Sequence, residues 1–185
     1  MRLNLGCGSV KLKGMLNADI SKESEADILF DFEKKFPFKD NSIDSIHAHY
    51  LVEHIRDLYG FMEEIHRVLK DKAVIEIHVP HAVHHAALAH PDHKHTFTYS
   101  CFDWLTRAGS SDKYTKTDIK FRYAKRRFMY ADCSQKRRGL FVRMVDWFSN
   151  RFPFHYERMF AYWVGGSEEI IFVLQAIKDK KQKNR

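Results

Sequence analysis

The chain has 185 residues, 44% hydrophobic and 14% aromatic, and a formal net charge of +7. That is enough for one sizeable core in one domain, and no apolar run approaches the ~20 residues a membrane-spanning helix needs. Eleven Lys or Arg against Asp118 and Asp132 fall between Lys113 and Arg143, so the basicity is local, and points to an anionic partner (phosphate, lipid headgroup or nucleic acid) or to a solvated basic face.

In chain order, the start lacks the charged region and long apolar block of a signal peptide, so Met1 to Leu5 reads as structure. Short apolar runs follow: RLNL, GMLNADI, ADILFDF, SIDSIHAHY and AVIEIHVP, each of strand length and bounded by turn residues. Between the fourth and fifth, Leu58, Phe61, Met62, Ile65 and Leu69 recur with helical spacing, which predicts an amphipathic helix. Strand, helix, strand implies a right-handed crossover and a parallel sheet. RMFAYWVGGSEEIIFVLQAIK reads as an antiparallel hairpin around Gly165, Gly166 and Ser167. The expectation is an α/β fold: a Rossmann-like, mostly parallel sheet with a C-terminal antiparallel hairpin. Residues 1–178 form its single domain, with a helical insertion or cap over about 80–155 after the fifth strand, and residues 179–185 are a basic, disordered tail by composition. Cys7, Cys101 and Cys133, an odd number widely spaced, resemble neither a disulfide framework nor a zinc site and fit a reducing, cytoplasmic setting.

The first strand ends in Gly6-Cys7-Gly8, where bare backbone lets a ligand approach closely. The second ends in Asp19, a carboxylate suited to a ribose diol, the third near Asp31, and the fourth runs into His49. In an open α/β sheet these positions share the rim where ligands sit.

These stretches, with FMEEIHRVLK, resemble the class I methyltransferases that use S-adenosylmethionine, closely over residues 3–81. The resemblance implies that Gly6, Cys7, Gly8, Asp19, Ile20, Asp31, Phe32 and His49 contact the cofactor. Glycines 6 and 8 would face its methionine part, Asp19 the ribose, Asp31 and Phe32 the adenine, and His49 the methyl-donor end. Departures are Asn4 in place of an acidic residue, Ser9 and Val10 where a glycine is common, and LKDKAV without Pro-Gly-Gly. Only about ten residues join the first two strands, so the first crossover helix is cut to about a turn or absent.

The segment from His78 to His95 holds seven of the twelve histidines, at irregular spacing and without cysteine or paired carboxylates, so no metal site is expected. AHPDHKHTFTYSCFDWL resembles a segment of methyltransferases that accompany polysaccharide and lipopolysaccharide biosynthesis, with His93 at the family's histidine. On that basis His93 is the expected base, backed by Asp92 or His49. Phe121, Tyr123, Phe128 and Tyr130 alternate with cations, a pattern that suits a phosphorylated sugar, a lipid diphosphate or single-stranded nucleic acid. Leu140 to Phe148 form an apolar helix face with Arg143 and Arg151 nearby, which reads as a helix packed on the sheet or as a membrane-interface helix. The expected activity is O-methylation of a sugar or related hydroxyl on an anionic or lipid-linked carrier, with a peripheral membrane contact left open. The rivals are an RNA methyltransferase and a non-catalytic partner protein of the same fold.

Overall fold

A computed structural model describes residues 1–106, 117–131 and 139–179. The expected tail lies almost wholly outside these residues, as do Cys133 and part of the basic run. Seven strands form one sheet: β1 (Arg2–Leu5), β2 (Leu16–Asp19), β3 (Ile28–Leu29), β4 (Ile43–His49), β5 (Leu69–Pro80), β6 (Lys120–Met129) and β7 (Glu169–Ile177). Their order is β3-β2-β1-β4-β5-β7-β6. The first five run parallel, and β7 pairs antiparallel with both β5 and β6. The C-terminal ends of the parallel strands therefore share one rim with the start of β7, where Glu169 lies opposite Pro80 and Met129. Leu3, Leu5, Ile46, Ile75, Ile77, Phe172 and Leu174 are fully or almost fully buried along these strands.

Helix α1 (Leu58–Val68) starts where the Asp57 carboxylate accepts the Gly60 N–H at 3.0 Å, and it buries Phe61, Met62 and Ile65. Its last turn also holds a loop. The Arg67 guanidinium donates to the Phe36 and Phe38 carbonyls at 3.1 and 2.9 Å and pairs with Asp40 and Glu64, while Glu64 accepts the Phe36 N–H at 2.7 Å. The Glu and Arg of FMEEIHRVLK thus fix the segment that follows β3, including the wall at Asp31 and Phe32.

No helix joins β1 to β2. Two buried asparagines organise the connection instead: Asn17 Oδ1 accepts the Leu12 N–H at 2.8 Å and Asn4 Nδ2 at 3.0 Å, and Asn17 Nδ2 donates to Asp27 at 2.9 Å. Asn4 Oδ1 in turn meets His47 Nδ1 at 3.3 Å. The asparagine that departs from the acidic family pattern is a structural group here.

The antiparallel pairing comes from an unexpected place. The expected first arm of the hairpin, 158–164, lies in a π-helical turn (Tyr156–Phe160) and the turn after it, and β7 pairs with β6, inside the insertion. Gly165 and Gly166 lead back to the sheet. Gly166 has φ +76°, and a Cβ there would come within 2.8 Å of the His84 nitrogen, so only glycine fits. The insertion is accordingly mixed, with α2 (His85–Ala89), α3 (Asp103–Thr106), β6 and α4 (Leu140–Arg151). In β6, Phe121 and Phe128 are buried and Arg126 lies over the Tyr99 and Tyr123 rings at 4.3 and 3.9 Å while pairing with Asp103. Those rings serve the fold.

Helix α4 packs by its polar side. Asp146 accepts the Tyr130 N–H at 2.8 Å, and the Asn150 amide exchanges hydrogen bonds with both Phe128 backbone groups at 2.9 and 3.0 Å, capping the edge strand. The apolar face is left outward, with Leu140, Phe141, Met144 and Trp147 all exposed.

Asn17→Ala leaves the Leu12 N–H without its acceptor and removes one of the two acceptors of the Asn4 Nδ2, and the expected cost is about 1–3 kcal/mol. Urea denaturation checks this; an unchanged midpoint would contradict the assigned role.

Candidate active site

The rim carries two adjoining hollows. The first begins at the glycine turn. Gly6 has φ +69°, and a Cβ on it would press within 3.2 Å of the Leu51 side chain. Gly8 faces open space, and its N–H donates to Asp19 Oδ2 at 2.7 Å, while Asp19 Oδ1 takes the Ser21 N–H at 2.9 Å. The carboxylate pins the turn to the end of β2 and keeps lone pairs for further donors. Next to it, Ile20, Asp31, Phe32, Leu51, His54 and Asp92 help to line a cavity of about 390 Å³, within the range of small-molecule sites. Asp31 accepts the Glu33 N–H at 2.9 Å and pairs with Lys34 at 3.2 Å, interactions that hold its carboxyl below the usual range. Open backbone at Gly8, a carboxylate with spare acceptors, and a cavity with apolar Ile20 and Phe32 on its wall fit an adenosyl group.

The second hollow, about 340 Å³, is lined by His49, Tyr50, His78, Met129, Glu168 and Glu169. His78 lies between two carboxylates, with Nδ1 at 3.2 Å from Glu169 and Nε2 at 2.8 Å from Glu76. Burial works to lower its pKa, but those two hydrogen bonds outweigh it and raise the value. Burial likewise opposes ionisation of Glu169, yet hydrogen bonds and charge from His49 and His78 bring it down to about 2. The Nε2 of His49 is 3.7 Å from the same Glu169 oxygen, an ion-pair separation, and its ring packs on Tyr50 at 4.3 Å.

Between the hollows, a 3₁₀ turn (Val52–His54) carries Glu53, 1% exposed, with neither carboxylate oxygen hydrogen-bonded. Burial raises it to about 7, against the pull of His93 and His49. Its backbone carbonyl accepts the Lys94 N–H at 2.7 Å, which ties the insertion to the rim.

The structure thus brings Gly6, Cys7, Gly8, Asp19, Ile20, Asp31, Phe32 and His49 to one rim. His93 is placed differently from the expected dyad. Its Nδ1 bonds the Ala87 carbonyl at 2.9 Å and its ring packs against His54 and His90, so neither Asp92 nor His49 backs it. Three polar residues at the site escaped the sequence reading as site residues: Glu53, His78 and Glu169. Glu53 left a signal, a charge enclosed in the apolar LVEHI stretch, and His78 another as the first of the histidine-rich run, whereas Glu169 left none.

Residues 3–77 match the family model described as a methyltransferase domain. That match spans 75 of the 185 residues. The cofactor of such a domain is S-adenosylmethionine, and the enzyme class is methyltransferase. Solved structures share the fold at low identity. An S-adenosylmethionine-dependent methyltransferase from Archaeoglobus fulgidus has a TM-score of 0.56 and 15% identity, with 94% of this chain and 85% of that one covered. A methyltransferase from Mesorhizobium loti gives 0.58 and 13%, covering 94% and 89%. A complex of the Haloferax volcanii Trm112 methyltransferase activator with a putative methyltransferase gives 0.59 and 18%, covering 96% and 82%. No curated protein matches the chain.

The pair at the rim has a definite pH signature. Raised in the fold, His78 contributes stability that is full below its unfolded value of about 6.5 and lost as pH rises through the folded value. Depressed Glu169 contributes above about 4.5, and loses its contribution as pH falls toward about 2. The melting temperature of the native chain should therefore exceed that of Glu169→Gln most between about pH 4.5 and 6.5. A difference that grows steadily above neutrality would contradict the pairing.

Proposed function

We propose that the chain methylates a hydroxyl, on a sugar or related group, carried by an anionic lipid-linked molecule at a membrane surface. The observation that carries this reading is the convergence of His49, His78 and Glu169 at the strand ends beside the adenosyl-sized cleft. The cofactor supplies a methyl group already activated on a sulfonium, so an aligned nucleophile and a proton acceptor are what the protein must add. Asp19 would accept the ribose hydroxyls, Ile20, Asp31 and Phe32 would enclose the adenine, and the backbone at Gly6, Cys7 and Gly8 would run beside the methionine part. In the tautomer that donates Nε2–H toward Glu169, His49 holds its lone pair on Nδ1 and takes the hydroxyl proton as the O–C bond forms. Glu169, kept ionised by His78, stabilises the resulting imidazolium.

The carrier is argued from the surface. Residues 139–164 expose Phe141, Met144, Trp147, Phe154, Tyr162 and Trp163, the last at 88%, around an apolar groove of about 450 Å³. Arg143, Arg151 and Arg158 are exposed among them. The two acidic residues of the segment turn inward: Asp146 is 8% exposed, and Glu157 accepts the Tyr99 N–H at 2.7 Å. Aromatic and cationic groups outward with carboxylates inward complement an anionic bilayer. The segment joins Met129 to Glu168, both of which line the acceptor hollow, so a docked bilayer would hold a lipid-linked acceptor beside His49.

Labelled methyl from S-adenosylmethionine, incubated with membrane extract, soluble sugar phosphates and total RNA, tests the substrate. Label is expected in the lipid-linked glycan fraction, with kcat lowered roughly 100- to 10,000-fold in His49→Ala. Label in RNA would establish the nucleic-acid reading, and no transfer by the native chain to any fraction would leave the partner reading. Sedimentation with phosphatidylglycerol vesicles tests the surface. Binding should fall about tenfold or more in Trp147→Ala/Trp163→Ala and weaken with salt, since each buried aromatic contributes on the order of 1.5–3 kcal/mol. Equal binding to neutral vesicles would contradict the electrostatic part.

A further inference from the structure

We propose that His54, His90 and His93 form a binding site for a zinc-class divalent transition-metal ion in the wall of the cofactor cleft. The three rings come from two separate elements. His54 ends the 3₁₀ turn after β4, whereas His90 caps α2 and His93 follows in the next turn, its N–H donating to the His90 carbonyl at 3.2 Å. One ligating atom from each lies within 4.8 Å of the other two, and the ring centroids are 4.8, 5.1 and 5.5 Å apart. Three imidazoles arranged tetrahedrally around an ion at ~2.0–2.1 Å place their centroids about 5 Å apart, as here, and their ligating nitrogens about 3.4 Å apart, so the rings must turn to draw those nitrogens together.

One supporting contact orients a ring as a ligand: His93 donates Nδ1–H to the Ala87 carbonyl at 2.9 Å, which leaves the Nε2 lone pair for the cluster. His90 receives the Asp92 N–H at 3.3 Å, a longer contact, and this exposed ring is the one that turns to present its lone pair. Three neutral nitrogens without an oxygen donor select zinc, copper or nickel over magnesium or calcium. Glu53, buried beside His54, has no hydrogen-bond partner for either carboxylate oxygen. His54 and Asp92 line the same cavity as Ile20, Asp31 and Phe32, so a fourth coordination position for water or a bound group would open on the cleft. The ion would clamp residues 90–93 of the insertion to the rim and set that wall of the cleft. This inference is independent of the acceptor's identity.

The test uses the untagged full chain, stripped with chelator and titrated with Co²⁺ and Zn²⁺. One Co²⁺ per chain is expected, with the visible absorption of a four-coordinate site of three nitrogens and one further ligand, which Zn²⁺ abolishes. His90→Ala, an exposed position that leaves the core intact, should weaken binding by more than the roughly 10- to 100-fold that losing an outer-shell partner costs. His93→Ala should do the same, with circular dichroism verifying the fold of both. His84→Ala/His85→Ala, an adjacent histidine pair with ring centroids 4.3 Å apart, should leave the affinity unchanged. The proposal is overturned if no saturable binding occurs, if His90→Ala and His93→Ala bind like the native chain, or if the ion is lost with His49→Ala and His78→Ala instead.

Discussion

The arrangement at the rim depends on one carboxylate. Asp19 takes the N–H of Gly8 on one oxygen and that of Ser21 on the other, and so fixes the glycine turn against the end of β2. In a sheet with a full first crossover, a helix N-terminus stands at this turn and lends its dipole to an anionic ligand. Ten residues between Leu5 and Leu16 leave no room for one, and a short asparagine-bonded loop takes its place. In the proposed site, cofactor affinity would come from the carboxylate, the apolar wall and the insertion, because no macrodipole stands at this turn.

That constraint explains why so much of the site is borrowed from elsewhere in the chain. Arg67 and Glu64 of α1 brace the segment after β3 that carries Asp31 and Phe32. The 3₁₀ turn after β4 fastens the insertion through the Glu53 carbonyl, which accepts the Lys94 N–H. The acceptor hollow is completed by β7, whose first residue, Glu169, orders both His49 and His78. Two hollows sharing one rim is an arrangement suited to bringing a donor and an acceptor together.

The early part of the chain was legible because its physics is local. Strands β1, β2, β4 and β5, helix α1, the missing first crossover and the rim positions Gly6, Asp19, Asp31 and His49 all follow from short apolar runs, turn residues and helical spacing. The later part obeys tertiary rules that a sequence does not display. The run at β6 reads as a basic surface, yet its alternate rings enter the core and Arg126 is sandwiched between tyrosines. The periodicity of α4 identifies its apolar face correctly but not which face the protein buries, since Asp146 and Asn150 are needed to cap an edge strand. His78 and Glu169 stand 91 positions apart and meet only through the β5–β7 register. The histidine cluster escaped spacing arguments for the same reason: His54 lies outside the histidine-rich run that supplies its partners.

The central claim is that the turn at Gly6 to Gly8, the carboxylate of Asp19 and the wall at Ile20, Asp31 and Phe32 bound a single adenosyl site. A crystal structure of the chain with S-adenosylhomocysteine tests it most directly. The expected result is ribose hydroxyls on Asp19 with the purine against Ile20 and Phe32, the glycine turn unmoved. An adenosine bound elsewhere on the molecule, or one that leaves Asp19 engaged by Gly8 and Ser21 alone, would contradict it.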